Sequence, residues 1–581
     1  RTLTSLCVLL SLTLTPGAQA ASTATPVGGT PTPSASSSPS PSPSPQASPT
    51  PSASTSSPAG APPKPIATPR PQASFVRPNA NAGVTGWLPL VTYPLTDRTQ
   101  LQVNLANGNL LAEATDLAIK GTGHDLVVGR VWQSLGNASG TLLNWTTTAG
   151  PDVQLWNPYG ASPTFIDGTG ASYAFTGNRN PYTAPPGLDA TLVQNPDQTF
   201  TLTFHATGER YVFGDTPSQF GGINSVTSEV DQNGNAIGYT YVPTGLRQGD
   251  LQTITDTQGR QVVATYDTSG RTDKLTQLAD PTGRTWQYGY DQVGTGHLRT
   301  YVDPNNKQTT YGYTGSDLTQ ITDPLSQGTG MVYDPIHRVT SITFGQGSAV
   351  AGTYTFAYHT GNTVVTDPNN HQTTYFYDSS LNQNRLTKIT DALSNSVQFS
   401  WTADNHVQQS TDAKTQNFTY GYDGNNNLTS VQLPTGATTS WAYTDNTHPY
   451  YPTSVTDPQG NVTTIHYTAA GNPDVVTNQL PSQNQTQLFY NANGTVDHVI
   501  DARGNTTSYQ YDAHGNLTKI VPPTYTPGPG SQQLGTTTIV PDSLSRPQSV
   551  TDGKGQQRTY TYDPLDRVTN TQYPDGSIAS T

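Results

Sequence analysis

The stretch VDPNNKQTTYGY, Val302 to Tyr313, decides how this chain folds. Asp303-Pro304-Asn305-Asn306 has the chemistry of a turn: Asp bonds its own backbone, Pro presets φ, and Asn tolerates the left-handed region. A strand follows, and Tyr311 and Tyr313, two apart, fall on one of its faces. From Asp303 to Tyr313 the interval is ten residues, and it recurs. Asp256 and Tyr266, Asp280 and Tyr290, Asp323 and Tyr333, and Asp367 and Tyr377 keep it. So do Asp391 and Trp401, Asp412 and Tyr422, Asp457 and Tyr467, Asp501 and Tyr511, and Asp552 and Tyr562. A fixed period marks a repeat architecture and argues for a scaffold before an enzyme.

The doubled aromatic also recurs, as Tyr288 and Tyr290, Tyr375 and Tyr377, Phe399 and Trp401, Tyr420 and Tyr422, Tyr509 and Tyr511, and Tyr560 and Tyr562. A second turn often follows directly, as in Tyr511-Asp512-Ala513-His514-Gly515, and then a short strand such as NLTKI, Asn516 to Ile520. Each unit is therefore two strands and two turns. The segment from the tyrosine to the next turn varies in length, as loops do. The Asp-to-aromatic segment does not vary, because a one-residue slip would flip every side chain to the other face. No unit can bury its aromatic face alone, so units must pair edge to edge and align their tyrosines. The tyrosines read as wall packing rather than ligand contacts.

Bulk properties agree with this. Net charge is −13 and the sequence pI about 5.1, which disfavours nucleic acid as a partner. Apolar residues make up 32% of the chain, with 54 Gly, 47 Pro and 31 Tyr. A thin, strand-rich wall is expected rather than a conventional thick core. The single cysteine, Cys7, excludes an internal disulfide.

Residues 1–20 read as a secretory signal: an apolar run from Leu3 to Leu14, then Ala18-Gln19-Ala20. The run is too short to span a bilayer. Residues 21–80, rich in Pro, Ser and Thr, cannot bury enough apolar surface to fold and read as an extended spacer. Residues 85–225 read as a β-rich domain without clear period, and 226–581 as the repeat array. The last turn signal, Pro574-Asp575-Gly576, calls for an aromatic beyond Thr581. The chain is thus expected to continue into downstream repeats or a cargo. A secreted or cell-surface protein follows.

No nucleophile elbow, zinc-binding HExxH or phosphate loop occurs, and no catalytic, cofactor-binding or metal residue is assigned. Asp423 to Asn427 and Asp231 to Asn235 have the opening of a calcium loop but lack its twelfth-position Glu, where Pro434 and Val242 stand. They read as Asx-type turns. The repeated Asp residues sit at corners and are not a glycosidase pair. Three readings follow. The first is a non-catalytic scaffold. The second is a cell-wall glycan or adhesion module, favoured by an exposed groove lined by Trp145 and Trp156. The third is a glycan-active enzyme in 85–225, favoured by convergent carboxylates in a cleft.

The chain resembles the RHS/YD-repeat family at the pairs Tyr266-Asp267, Tyr290-Asp291, Tyr333-Asp334, Tyr377-Asp378, Tyr422-Asp423, Tyr511-Asp512 and Tyr562-Asp563. Some carry the family's following glycine: Gly270, Gly294, Gly424 and Gly515. The stretch VNLANGNLLAEATDLAIKGTGHDLVVGRVWQS is similar to the β-domain that often opens such proteins, with Asn107, Gly108, Asn109, Asp116, Gly121, Gly123 and Arg130 in the expected places. The resemblance implies an all-β fold, with antiparallel hairpins forming a spiralling sheet, part of a hollow shell. It implies a role in enclosing or presenting a C-terminal cargo, often a toxin, or in cell-surface contact. The family's core motif that ends the shell is missing here.

Overall fold

The computed structural model describes residues 83–136, 145–157, 162–177, 180–214, 223–243, 249–267, 274–291, 296–348, 351–378, 384–479, 484–524 and 535–580. The expected signal and spacer, Cys7, Gly270 and Gly294 lie outside the described residues. Among the described residues there are 43 β-strands and no helix. The fold is all-β and its ladders are antiparallel throughout.

Strands are numbered in chain order. Five form a sheet of their own in sequential order: β1 (Leu90–Pro94), β2 (Thr99–Asn104), β3 (Leu110–Ile119), β4 (Leu126–Gln133) and β5 (Trp145–Thr147). Three short strands follow, β6 (Gln154–Trp156), β7 (Thr164–Ile166) and β8 (Ser172–Ala174). From β9 (Ala190–Gln194) each strand pairs with the next, without a break, as far as β43 (Ile578–Ser580). The junction expected at 225/226 falls inside β12 (Ile223–Val230), which pairs both β11 (Arg210–Phe213) and, at its start, β6. Among the described residues β43 has a ladder only to β42 (Val568–Gln572), so the long sheet does not close on itself there.

The sheet spirals, and hairpin turns of one lap meet those of the next. The turn after β12 meets the turn after β35 (Asn484–Tyr490), where Asn235 Nδ2 donates to the Asn493 carbonyl at 2.9 Å. The turn after β14 (Leu251–Thr255) meets that after β37 (Thr506–Tyr511), through Gln258 and Asn516 at 3.0 Å. The turn after β18 (Leu298–Val302) meets that after β41 (Gln557–Tyr562), through Asn305 and Asp563 at 3.5 Å. Each contact lies twenty-three strands further on, so one lap is about that long. Arg284 strengthens the seam by pairing with Asp566 at 2.7 Å, and Arg546 binds the same carboxylate at 2.6 Å.

The composition leads us to expect a thin wall, and half of the molecule departs from it. The five-stranded sheet packs on the tyrosine face of the wall, and the two share one large core. Tyr93, Leu101, Leu117, Trp132 and Trp145 from the sheet join Trp286, Tyr288, Tyr311, Ile342 and Tyr375 from the wall. Each such side chain contributes about 1.5–3 kcal/mol when buried. A low apolar fraction did not prevent this, because the few large side chains are concentrated here. Beyond Tyr375 the same face is mostly half-buried, and a separate small cluster forms around Ile465, Val476 and Leu488.

Candidate functional site

The repeat residues meet in one recurring geometry. At Asp256, Asp280, Asp303, Asp367, Asp412, Asp457, Asp501 and Asp552, Oδ1 accepts the backbone N–H groups two and four residues on, at 2.8–3.0 Å. The Asp carbonyl accepts the N–H three residues on, which holds that residue in the left-handed region. Gly259 (φ 81°) and Asn306 (φ 57°) are examples. The turns that follow a tyrosine use the same geometry, as Asp334, Asp423, Asp512 and Asp563 show. Asp423 to Asn427 and Asp231 to Asn235 are such turns too.

One feature escaped the sequence reading. The residue four after the Asp is often Arg or Asn, and its side chain donates to the second carboxylate oxygen. Arg260 and Arg284 do so at 2.7 Å, Asn461 at 2.7 Å and Asn505 at 2.9 Å. The signal was present as an Asp followed at the fourth position by a planar donor.

Tyr266, Tyr290, Tyr313, Tyr377, Tyr422, Tyr467, Tyr511 and Tyr562 all stand last or next to last in a strand, where the register with the following strand slips. On the turn side the strands share few rungs: Asn417 to Thr419 with Gln409 to Thr411, for example. Past those rungs the tyrosine hydroxyl supplies the next link. Tyr290 donates to the Leu275 carbonyl at 2.6 Å, Tyr422 to Val407 at 3.0 Å, Tyr467 to Pro452 at 2.9 Å, Tyr511 to Val496 at 2.8 Å and Tyr562 to Pro547 at 2.7 Å. Trp401 does the same through Nε1 to Leu386 at 2.7 Å. Each acceptor lies five residues before its turn Asp and each aromatic ten after it. The ten-residue interval is the reach of this latch. Tyr377 instead donates to His359 at 3.2 Å, and Tyr313 accepts from Trp145 at 2.8 Å.

Trp145 is therefore buried against the wall, not on an exposed groove. That removes half of the aromatic pair on which a glycan-binding reading rested, leaving Trp156 at 39% exposure.

Sheet and wall are fastened by Arg130. Its Nε binds Asp116 at 3.0 Å, Nη1 donates to Tyr311 Oη at 2.6 Å, and its guanidinium carbon lies 4.0 Å from the Tyr301 ring centre. Tyr288 donates to Asp116 at 2.8 Å.

Close by, a cavity of about 460 Å³ opens between β2, β3 and β4 on one side and β11, β12 and β13 (Ala236–Tyr241) on the other. The chain has only three glutamates, against its many aspartates, and two of them, Glu113 and Glu229, line this cavity. Their scarcity is itself a signal in the sequence. Glu113 accepts from the side-chain amides of Gln100 at 2.7 Å and Gln102 at 3.4 Å. Glu229 accepts from the Tyr239 hydroxyl at 2.8 Å. Burial pushes the Glu229 carboxyl up to about 7, against the pull of that hydrogen bond, and nearby Glu209 adds to the rise. Two carboxylates line this cavity, but each is held by its own neighbouring side chains. Among the described residues no group of His, Cys, Asp and Glu suits a metal ion, and no helix is long and apolar enough to cross a membrane.

Hairpins latched by aromatic residues, with Asp-led turns at both rims and laps docked rim to rim, define a YD-repeat β-shell scaffold. Residues 327–446 match the Teneurin YD-shell family model and residues 490–526 and 542–578 the RHS Repeat model, so those segments carry RHS/YD-type repeats. No curated protein matches the chain. Among solved structures, the chain is similar to the TcdB2–TccC3 complex with Cdc42 (11% identity, 83% of this chain and 31% of that one, TM-score 0.34). It is also similar to the Photorhabdus luminescens Tc holotoxin pore (12% identity, 84% of this chain and 30% of that one, TM-score 0.33). The chain spans less than a third of the length of either.

Proposed function

We propose that this chain is part of an exported RHS/YD-repeat shell that encloses or presents a C-terminal cargo, for toxin delivery or cell-surface contact, and is not itself a catalyst. One observation carries the reading. Where the five-stranded sheet does not reach, the aromatic face of the wall stays half-buried, at Phe399, Trp401, Tyr420, Tyr422, Trp441 and Tyr443. Those rings line an interior able to hold polypeptide. Residues 1–20 serve as the leader and 21–80 as the spacer of the exported body, with 85–225 opening the shell and 226–581 continuing it.

The test is to express the chain with the polypeptide encoded directly downstream and follow digestion by a broad-specificity protease. The downstream polypeptide should survive in the presence of the chain. Equal digestion with and without the chain overturns the reading. Amino-terminal sequencing of material recovered outside the cell tests the leader.

A further inference from the structure

The joint between the five-stranded sheet and β11 to β13 differs in charge from the rest of the core. Arg130 balances Asp116 on the adjacent strand, whereas Glu229 has a phenol hydroxyl as its partner. We propose that this joint is a pH-responsive clamp, closed while Glu229 carries its proton and loosened when that carboxyl ionises.

The surroundings give Glu229 little to compensate a charge. From the neighbouring strands it meets Tyr211 and Tyr239, with Tyr241 and Glu209 close by. Across the cavity stand Glu113, Asp97 and Asp125 from the sheet. The cations near the joint are committed elsewhere. Arg98 donates to the carbonyls of Asp116 and Leu565, Lys120 to Asp125, Arg130 to Asp116 and Tyr311, and Arg210 to the Asp231 carbonyl. An ionised Glu229 therefore draws water into the cavity between sheet and wall.

A second pair bridges the joint. His124, in the loop between β3 and β4, lies 3.7 Å from Glu209 on the wall side. Burial raises the Glu209 carboxyl, the imidazolium of His124 opposes that rise, and Asp231 adds to it.

The sign follows from proton linkage. Glu229 binds its proton more tightly in the closed joint, at about 7, than as an ordinary glutamate, at 4.5. Closure is thus favoured at low pH, and the advantage is lost as pH rises from about 4.5 to 7. Between pH 6 and pH 8 the open fraction should rise about tenfold.

The small number of glutamates makes the test direct. Full-length chain labelled with ¹³C at the glutamate carboxyls gives three resonances, each assigned by a single glutamine substitution. The Glu229 signal should titrate near neutral pH. Hydrogen-exchange protection factors in β4 and β12 should fall about tenfold from pH 6 to pH 8, and Glu229→Gln should abolish that fall. If Glu229→Gln does not fold, Tyr239→Phe serves instead. It removes the hydrogen bond that favours the carboxylate, so the titration and the loss of protection should move together to higher pH. A Glu229 signal that titrates below pH 5, or protection that is flat through its titration, overturns the proposal.

Discussion

Arg130 and Tyr311, 181 residues apart in sequence, share a 2.6 Å hydrogen bond in the core of the molecule. Arg130 and Asp116 have side chains only 2% exposed. Replacing Arg130 with Leu leaves Asp116 charged and buried without its counter-ion, a change that costs about 3–5 kcal/mol. Denaturant unfolding should show the loss in the transition that reports the five-stranded sheet. The paired change Arg130→Leu with Asp116→Leu should recover much of it.

The latch hydroxyls can be removed one at a time. Tyr422→Phe keeps the ring and loses the bond to the Val407 carbonyl. Stability should fall by about 1 kcal/mol, the net worth of one such hydrogen bond. Tyr422→Ala should cost about 3 kcal/mol, because ring packing goes as well. Thermal melts of the two variants separate bond from packing.

The turn aspartates set the acid limit of the fold. The Asn505 amide and the backbone N–H groups hold the Asp501 carboxyl below its ordinary value of 3.8, and Asn461 does the same for Asp457. Their contribution is present above that value and is lost as pH falls through the lower folded-state values. The melting temperature should drop steeply below about pH 4. Asp501→Asn keeps an acceptor for the turn and should destabilise less at pH 7 than Asp501→Ala.

The contact between the β3–β4 loop and the second lap of the wall is tested at Gly515. A Cβ there would lie 2.3 Å from Thr122 Oγ1, at a φ of +80°. Gly515→Val should destabilise by about 2 kcal/mol or more, through backbone strain and collision together. Pairing it with Thr122→Ala should relieve the collision and leave the strain. Hydrogen exchange at the 122 and 512–516 turns reads the difference.

Strand, turn and aromatic positions of the array were legible because they obey local rules. Asp303 and Asn306 declare a turn by their chemistry, and Tyr311 and Tyr313 declare a shared face by their spacing. What lay beyond the sequence was long-range. Nothing near Arg130 names Tyr311 or Tyr288 as its partners, and Trp145 gives no local sign that a wall will cover it. The cavity is likewise assembled from β2, β3 and β4 on one side and β11, β12 and β13 on the other. The reason for the ten-residue interval is likewise three-dimensional, since it lies in a hydroxyl reaching across strands.

The odd number of strands in a lap has an evolutionary consequence. Antiparallel neighbours alternate their corners between top and bottom, so an odd circumference brings the top of one lap onto the bottom of the next. Duplicating or deleting a whole hairpin changes the girth by two and preserves that parity. A gene can therefore widen or narrow this spiral by unequal crossing-over without redesigning either rim, whereas gaining a lone strand would shift the corners of one lap by a strand width and leave them facing gaps instead of partners.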